Sequence, residues 1–131
     1  MPIRPGSPMQ HKVVIAVVDD DEAIRRALES LLRASDYQVL GYSGGQAFLE
    51  SEGPAQTHCL ISDIQMPGMN GLQLHETLCA QGWRIPVIFV TARPDEMKNS
   101  PPGVIACLTK PFRAEDLLRH IDIALHRTPP L

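Results

Sequence analysis

The 131-residue chain has no excess of basic side chains: 12 Lys and Arg stand against 15 Asp and Glu, a formal net charge of −3. A chain of that balance lacks the cationic surface that holds a phosphate backbone, so direct nucleic-acid binding is not expected. Nor is there a long hydrophobic run. The longest, Val13 to Val18, is far short of the ~20 apolar residues that cross a bilayer, and the Pro-rich start contains no apolar signal stretch. Neither a membrane span nor an export signal is expected, and the chain reads as cytoplasmic. Cysteine is sparse: Cys59, Cys79 and Cys107 are odd in number and form no CxxC, which excludes a disulfide framework or a cysteine zinc site. Each lies in an apolar segment and is expected to be a small buried packing residue in a reducing compartment. The histidines at 11, 58, 75, 120 and 126 show no HExxH or other metal spacing and are expected at the surface or in packing.

What is present is a composition of 44% hydrophobic and 21% charged residues, ordinary for one globular domain. Three of the 12 prolines fall in the first eight residues and Pro129 and Pro130 lie at the far end. Residues 1–11 are therefore expected as a disordered tail, with Met9 a candidate internal start, and 128–131 as a tail or linker; residues 12–127 form the folded region. Within it, short apolar runs alternate with segments of helical period, the pattern of a βα repeat around a parallel sheet.

Five such pairs can be counted. Val13 to Val18 is apolar throughout, as a parallel strand covered on both faces should be. Ile24, Ala27, Leu28, Leu31 and Leu32 then follow helical spacing, in a helix starting near Asp21 with Asp20 or Asp21 as its cap. A strand at Gln38 to Tyr42 leads into Ser43-Gly44-Gly45-Gln46, whose S-x-x-Q spacing predicts a capping box opening a helix through Ala47, Phe48 and Leu49. Cys59 to Asp63 is the third strand, and the turn residues Met66 to Gly71 precede a helix with Leu72, Leu74 and Leu78. Val87 to Thr91 and Ile105 to Thr109 are the last two strands, and after Pro111 a helix carries Leu117, Leu118, Ile121, Ala124 and Leu125 on one face. Between Thr91 and Ile105, Pro101, Pro102 and Gly103 forbid a full helix, leaving one or two turns at 95–99.

In an open parallel sheet, ligands bind beyond the carboxyl ends of the strands. Here the strands end in Asp19-Asp20, Asp63 and Thr91, and the fifth runs into Lys110-Pro111. Clustered carboxylates repel one another unless a positive group intervenes. A hard divalent cation answers that need, since Mg²⁺ takes oxygen ligands and is typically held by one or two carboxylates together with a phosphate. A carboxylate can itself be a nucleophile that becomes an aspartyl-phosphate. Asp63, at the end of the central strand between the acid pair and the lysine, is the best candidate, with Lys110 and a cation offsetting phosphoryl charge and Thr91 donating a hydrogen bond.

The chain resembles the response-regulator receiver domains, the phosphoacceptor modules of two-component signalling. The residues that carry the likeness are Val17-Val18-Asp19-Asp20-Asp21-Glu22, Ser62 through Gly71, Val90-Thr91-Ala92 and Thr109-Lys110-Pro111-Phe112, in order at the strand ends. The resemblance implies a doubly wound, five-stranded parallel α/β sheet, flavodoxin-like (βα)5, of strand order 2-1-3-4-5, an order known for this fold. It implies Asp63 as phosphoacceptor, Thr91 as switch hydroxyl and Lys110 as the essential lysine. It also implies a Mg²⁺ (or Mn²⁺) site from Asp19, Asp20, Asp63 and the Gln65 carbonyl, with Gln65 and Arg93 at positions that tune phosphate lifetime. A cis Lys110–Pro111 bond, a histidine kinase or phosphotransfer protein as donor, and a downstream protein or fused output domain follow from the same likeness, with self-association left open.

Two departures stand out. The family usually has an aromatic three residues before the lysine, where this chain has Cys107, and the helix of the fourth crossover (helix 4) is expected to be shortened or missing. A receiver-like interaction module that works without phosphate is therefore the alternative. A small flavin protein is disfavoured because four acids replace the phosphate loop after the first strand, and a haloacid-type phosphatase because Gln65 stands where it needs an aspartate.

Overall fold

The computed structural model describes residues 13–93 and 101–126. Five parallel strands, β1 (Val14–Val18), β2 (Gln38–Tyr42), β3 (Cys59–Asp63), β4 (Val87–Thr91) and β5 (Val104–Thr109), form one sheet in the order β2-β1-β3-β4-β5. This is the expected order, and the strand ends agree with the sequence reading to within one residue. The helices are α1 (Glu22–Ala34), α2 (Gly45–Glu50), the single turn α3 (Gly53–Gln56), α4 (Gly71–Ala80) and α5 (Ala114–His126).

The central strands bury every residue because alternate side chains serve two cores. Ile15, Val17, Cys59, Ile61, Ile88 and Val90 meet Leu28 and Leu32 of α1 and Leu117, Ile121 and Ala124 of α5. Ala16, Val18, Leu60, Val87 and Phe89 face the other way, onto Phe48 of α2 and Leu74 and Leu78 of α4. A continuously apolar run is thus the signature of a sheet covered on both sides.

Helix starts test the capping expectations. Asp21 caps α1, its side chain accepting from the Ile24 amide. The Ser43 capping box is not formed. Gly44 is the cap residue of α2, with no side-chain cap bond, and Gln46 donates to Glu50 instead. Ser43 thus stands one residue too early to reach the amides of the first turn. A full capping box exists at α4, where the Asn70 side chain accepts from the Gln73 amide and the Gln73 side chain accepts from the Asn70 amide.

The cysteine expectation is corrected as well. Cys59 is buried, but Cys107 is only partly so and Cys79 is exposed, because α4 turns Leu74, His75 and Leu78 to the sheet and carries Cys79 off that stripe. Burial pushes the Cys59 thiol pKa up to about 12, so it is an inert packing group. The histidines divide as expected: His75 is buried, its Nε2 2.9 Å from the Pro102 carbonyl, and the Nδ1 of His58, an exposed residue, accepts from the Val14 amide at 3.0 Å.

Residues 101–103 do not belong to a helix. The Val104 amide bonds back to the Pro101 carbonyl at 3.2 Å and Gly103 sits at φ +92, making a turn into β5. The one or two turns expected at 95–99 and the two tails, 1–11 and 128–131, lie outside the described residues. Among the described residues, no helix is long and apolar enough to cross a membrane.

Candidate functional site

The ends of β1 and β3 lie side by side, with Val18 opposite Ser62 in the register, so Asp19 and Asp63 leave the sheet together. Asp19 is 1% exposed and Asp63 7%. One carboxylate oxygen from each of Asp19, Asp20 and Asp63 lies within 4.8 Å of the others. Lys110 reaches them from the far side of the sheet, because β5 pairs with β4 and the Lys110 amide bonds to the Thr91 carbonyl at 2.8 Å. Its Nζ lies 3.2 Å from Asp63 Oδ2 and 3.3 Å from Asp19 Oδ2, a single ammonium shared by two carboxylates. The Lys110–Pro111 peptide bond is cis.

Backbone groups fix the two buried acids. The Asp21 amide donates to Asp19 Oδ1 at 2.9 Å and the Gln65 amide to Asp63 Oδ1 at 3.2 Å. On α4, Gly71 closes over the Asp63–Ile64 backbone: its amide donates to the Ile64 carbonyl at 2.8 Å, and a Cβ there would collide with the Asp63 carbonyl oxygen and come within 3.0 Å of Ile64 Cα. Only glycine permits this approach.

The electrostatics follow from burial and proximity. Burial raises the Asp19 pKa, and the neighbouring Asp63 charge adds to this; the Asp21 amide and Lys110 pull the other way without offsetting it. Burial alone would lower the Lys110 pKa, but the Asp19 and Asp63 charges outweigh it, and its ammonium is held above the ordinary lysine value. Three acids against one lysine leave the cluster short of positive charge. The grouped carboxylates of Asp19, Asp20 and Asp63 form an all-oxygen, hard donor set of the kind that Mg²⁺ takes.

Thr91 is the expected residue that stands apart. It is wholly buried at the end of β4, but its hydroxyl accepts from the Arg93 amide at 3.0 Å and lies 3.4 Å from the Arg93 carbonyl; no hydrogen bond joins it to Asp63 or Lys110 among the described residues. Cys107 lies opposite Phe89 in the β4–β5 register. Sequence reasoning also missed Arg25, whose Nη1 donates to the Asp19 carbonyl at 2.8 Å. Its only sequence signal is a cation one and a half turns after the acid pair.

The comparisons with known proteins agree on one family. A model of the response regulator receiver domain matches residues 15–122. Response regulator protein TmoT of Ectopseudomonas mendocina is 42% identical over 119 residues, spanning 88% of this chain and 54% of that protein. Response regulator protein TodT of Pseudomonas putida is 38% identical over the same length, with 88% and 52% covered. The solved response regulator StyR superposes with a TM-score of 0.81 at 37% identity, over 89% of this chain and 61% of that one. The chain therefore spans about half the length of the curated relatives it matches. Motifs, strand order and acidic edge meet in one match running from β1 into α5: the chain belongs to the response regulator receiver domains.

Proposed function

We propose that the chain is a phosphoacceptor: Asp63 takes a phosphoryl group from a histidine kinase or phosphotransfer protein, with Mg²⁺ or Mn²⁺, and the resulting change regulates a partner or an attached output domain. The observation that carries this reading is the Asp63 carboxylate at the end of β3, 3.2 Å from the Lys110 ammonium and within 4.8 Å of the Asp19 and Asp20 oxygens. An Asp63 oxygen forms the bond to phosphorus as the P–N bond of a phosphohistidine breaks, and the departing imidazole nitrogen keeps the electron pair and takes a proton. Lys110 neutralises one unit of phosphoryl charge, and the bound cation would supply the rest. The Gln65 amide and the Lys110 ammonium hold the acceptor still, and Thr91 moves from its Arg93 contacts to donate to the phosphoryl group. Such a domain acts only on its own phosphorylation and dephosphorylation, in the cytoplasm.

Acetyl phosphate, or beryllofluoride, with Mg²⁺ tests the reading by intact mass and by spectral shift. A phosphoryl or beryllofluoride adduct is expected on the wild type and none on Asp63→Ala; no adduct on the wild type, or the same one on the variant, refutes it. Lys110→Ala should impair the response while sparing much of the metal binding. The second reading, an interaction module that works without phosphate, draws on Cys107, where the family usually has an aromatic, and on the Thr91 hydroxyl engaged by Arg93. It gains ground only if the wild type takes no adduct.

A further inference from the structure

The acid pair is held unequally. Asp19 is fixed by the Asp21 amide and by Lys110, whereas the exposed Asp20 carboxylate makes no hydrogen bond or ion pair among the described residues. What fixes Asp20 is the backbone on either side of it. The peptide preceding it presents the Asp19 carbonyl, which accepts from Arg25 Nη1 at 2.8 Å. The peptide following it presents the Asp21 amide, which donates to Asp19 Oδ1 at 2.9 Å. With both peptide planes tied, the direction of the Asp20 Cα–Cβ bond is set before any ligand arrives.

Arg25 is itself braced. Its Nε lies 3.9 Å from Glu29 Oε2, one turn along α1, and both side chains are largely buried, at 19% and 17% exposed. Its own amide bonds to the Asp21 carbonyl at 2.9 Å, which anchors the first turn of α1 to the acidic loop.

We infer that Arg25 is a positioning residue, acting through the Asp19 carbonyl to aim the Asp20 carboxylate at the divalent cation. This rests on the metal-site reading proposed above. Its sign separates it from a simple charge effect. A guanidinium near a cation site repels the cation, so removing it should tighten Mg²⁺ binding if charge were its only influence. Loss of positioning should weaken binding instead, as loss of the groups that orient metal ligands does by ~10-fold or more.

The test is Mg²⁺ titration by calorimetry, with melting in EDTA to confirm folding. Arg25→Met, which keeps the apolar stem, should weaken Mg²⁺ binding about tenfold, and Arg25→Lys, which can still donate to the carbonyl, should recover most of that loss. Mg²⁺ binding by Arg25→Met as tight as or tighter than wild type overturns the inference, as does Arg25→Lys no better than Arg25→Met. In an Asp20→Ala background, where no side-chain ligand remains to be aimed, Arg25→Met should change Mg²⁺ affinity less than about twofold; an equal loss in both backgrounds shows that Arg25 does not act through Asp20. Should Arg25→Met fail to fold, Glu29→Gln, which only loosens the brace, decides: weaker Mg²⁺ binding supports the inference and unchanged binding overturns it. A wild type that binds no Mg²⁺ brings down the metal-site reading and this inference with it, whereas a binding wild type with an unaffected Arg25→Met brings down the inference alone.

Discussion

Asp19 shows how a single residue is tuned against the stability of the fold. Its pKa is raised chiefly by burial, despite the Asp21 amide and Lys110. Between its ordinary value of 3.8 and that raised value, the folded protein binds more protons at Asp19 than the unfolded chain does. The contribution of Asp19 to stability therefore falls as pH rises through that window. Lys110 runs in the same direction at much higher pH: with its pKa raised by two carboxylates, its stabilising contribution is complete below the ordinary lysine value and is lost only as pH climbs through the folded one. Without divalent cation, Asp19→Asn is expected to melt a few degrees above the wild type at neutral pH, since Oδ1 can still accept from the Asp21 amide. The gap should close as pH drops below the ordinary aspartate value. Urea unfolding of both proteins in EDTA across pH measures that difference, and a gap independent of pH would contradict the assignment. Saturating Mg²⁺ should reverse the order, because the wild type alone keeps the full ligand set.

At the scale of elements, the start of α4 joins a helix cap to the acceptor strand. Removing the Asn70 capping oxygen, as in Asn70→Ala, should cost about 1 kcal/mol of stability and leave the acidic edge in place. Gly71→Ala should be worse than its helix propensity suggests, since alanine is favoured over glycine by about 1 kcal/mol within a helix and yet its Cβ would collide with the Asp63 carbonyl. Denaturant melts and a beryllofluoride titration separate the two: Asn70→Ala loses stability alone, and Gly71→Ala loses stability and adduct formation. β1, β4 and β5 were legible because an apolar run of four or five residues closed by Asp or Thr leaves little freedom in register. The Ser43 cap was misread because S-x-x-Q fixes a spacing but not which residue opens the helix; the opening residue, Gly45, lies where a Cβ would press on Met69 Sδ, in the loop before α4, at 2.9 Å and on Leu74 of α4 at 3.4 Å. Cys79 was misplaced for a related reason: an apolar neighbourhood in sequence does not say which side of a helix a residue occupies. The single turn α3, four residues long, is too short for any periodicity to reveal.

At the scale of the molecule, the site was legible as a convergence, because a parallel sheet brings all its strand ends to one edge and residues 19, 20, 63 and 110 needed only that rule to meet. The engagement of Thr91 with Arg93, and the Arg25 bond, depend on side-chain directions that no spacing encodes. The same convergence links cation binding to folding. Ligands drawn from β1, β3 and the loops after them exist as a site only in the native chain, so a cation binding there stabilises the whole fold and not one loop. Mg²⁺ at a hundredfold excess over its dissociation constant should add about 2.7 kcal/mol to the unfolding free energy. Trp83 offers a probe far from the chemistry, since it lies in the connection from α4 to the start of β4, while the acids lie at the other ends of the strands. Its fluorescence and the helical circular dichroism should shift to higher denaturant together, by the same increment, and Asp20→Ala should abolish most of the shift in both. If Mg²⁺ moved the circular dichroism transition while leaving that of Trp83 in place, the two ends of the sheet would unfold separately and the linkage argued here would fail.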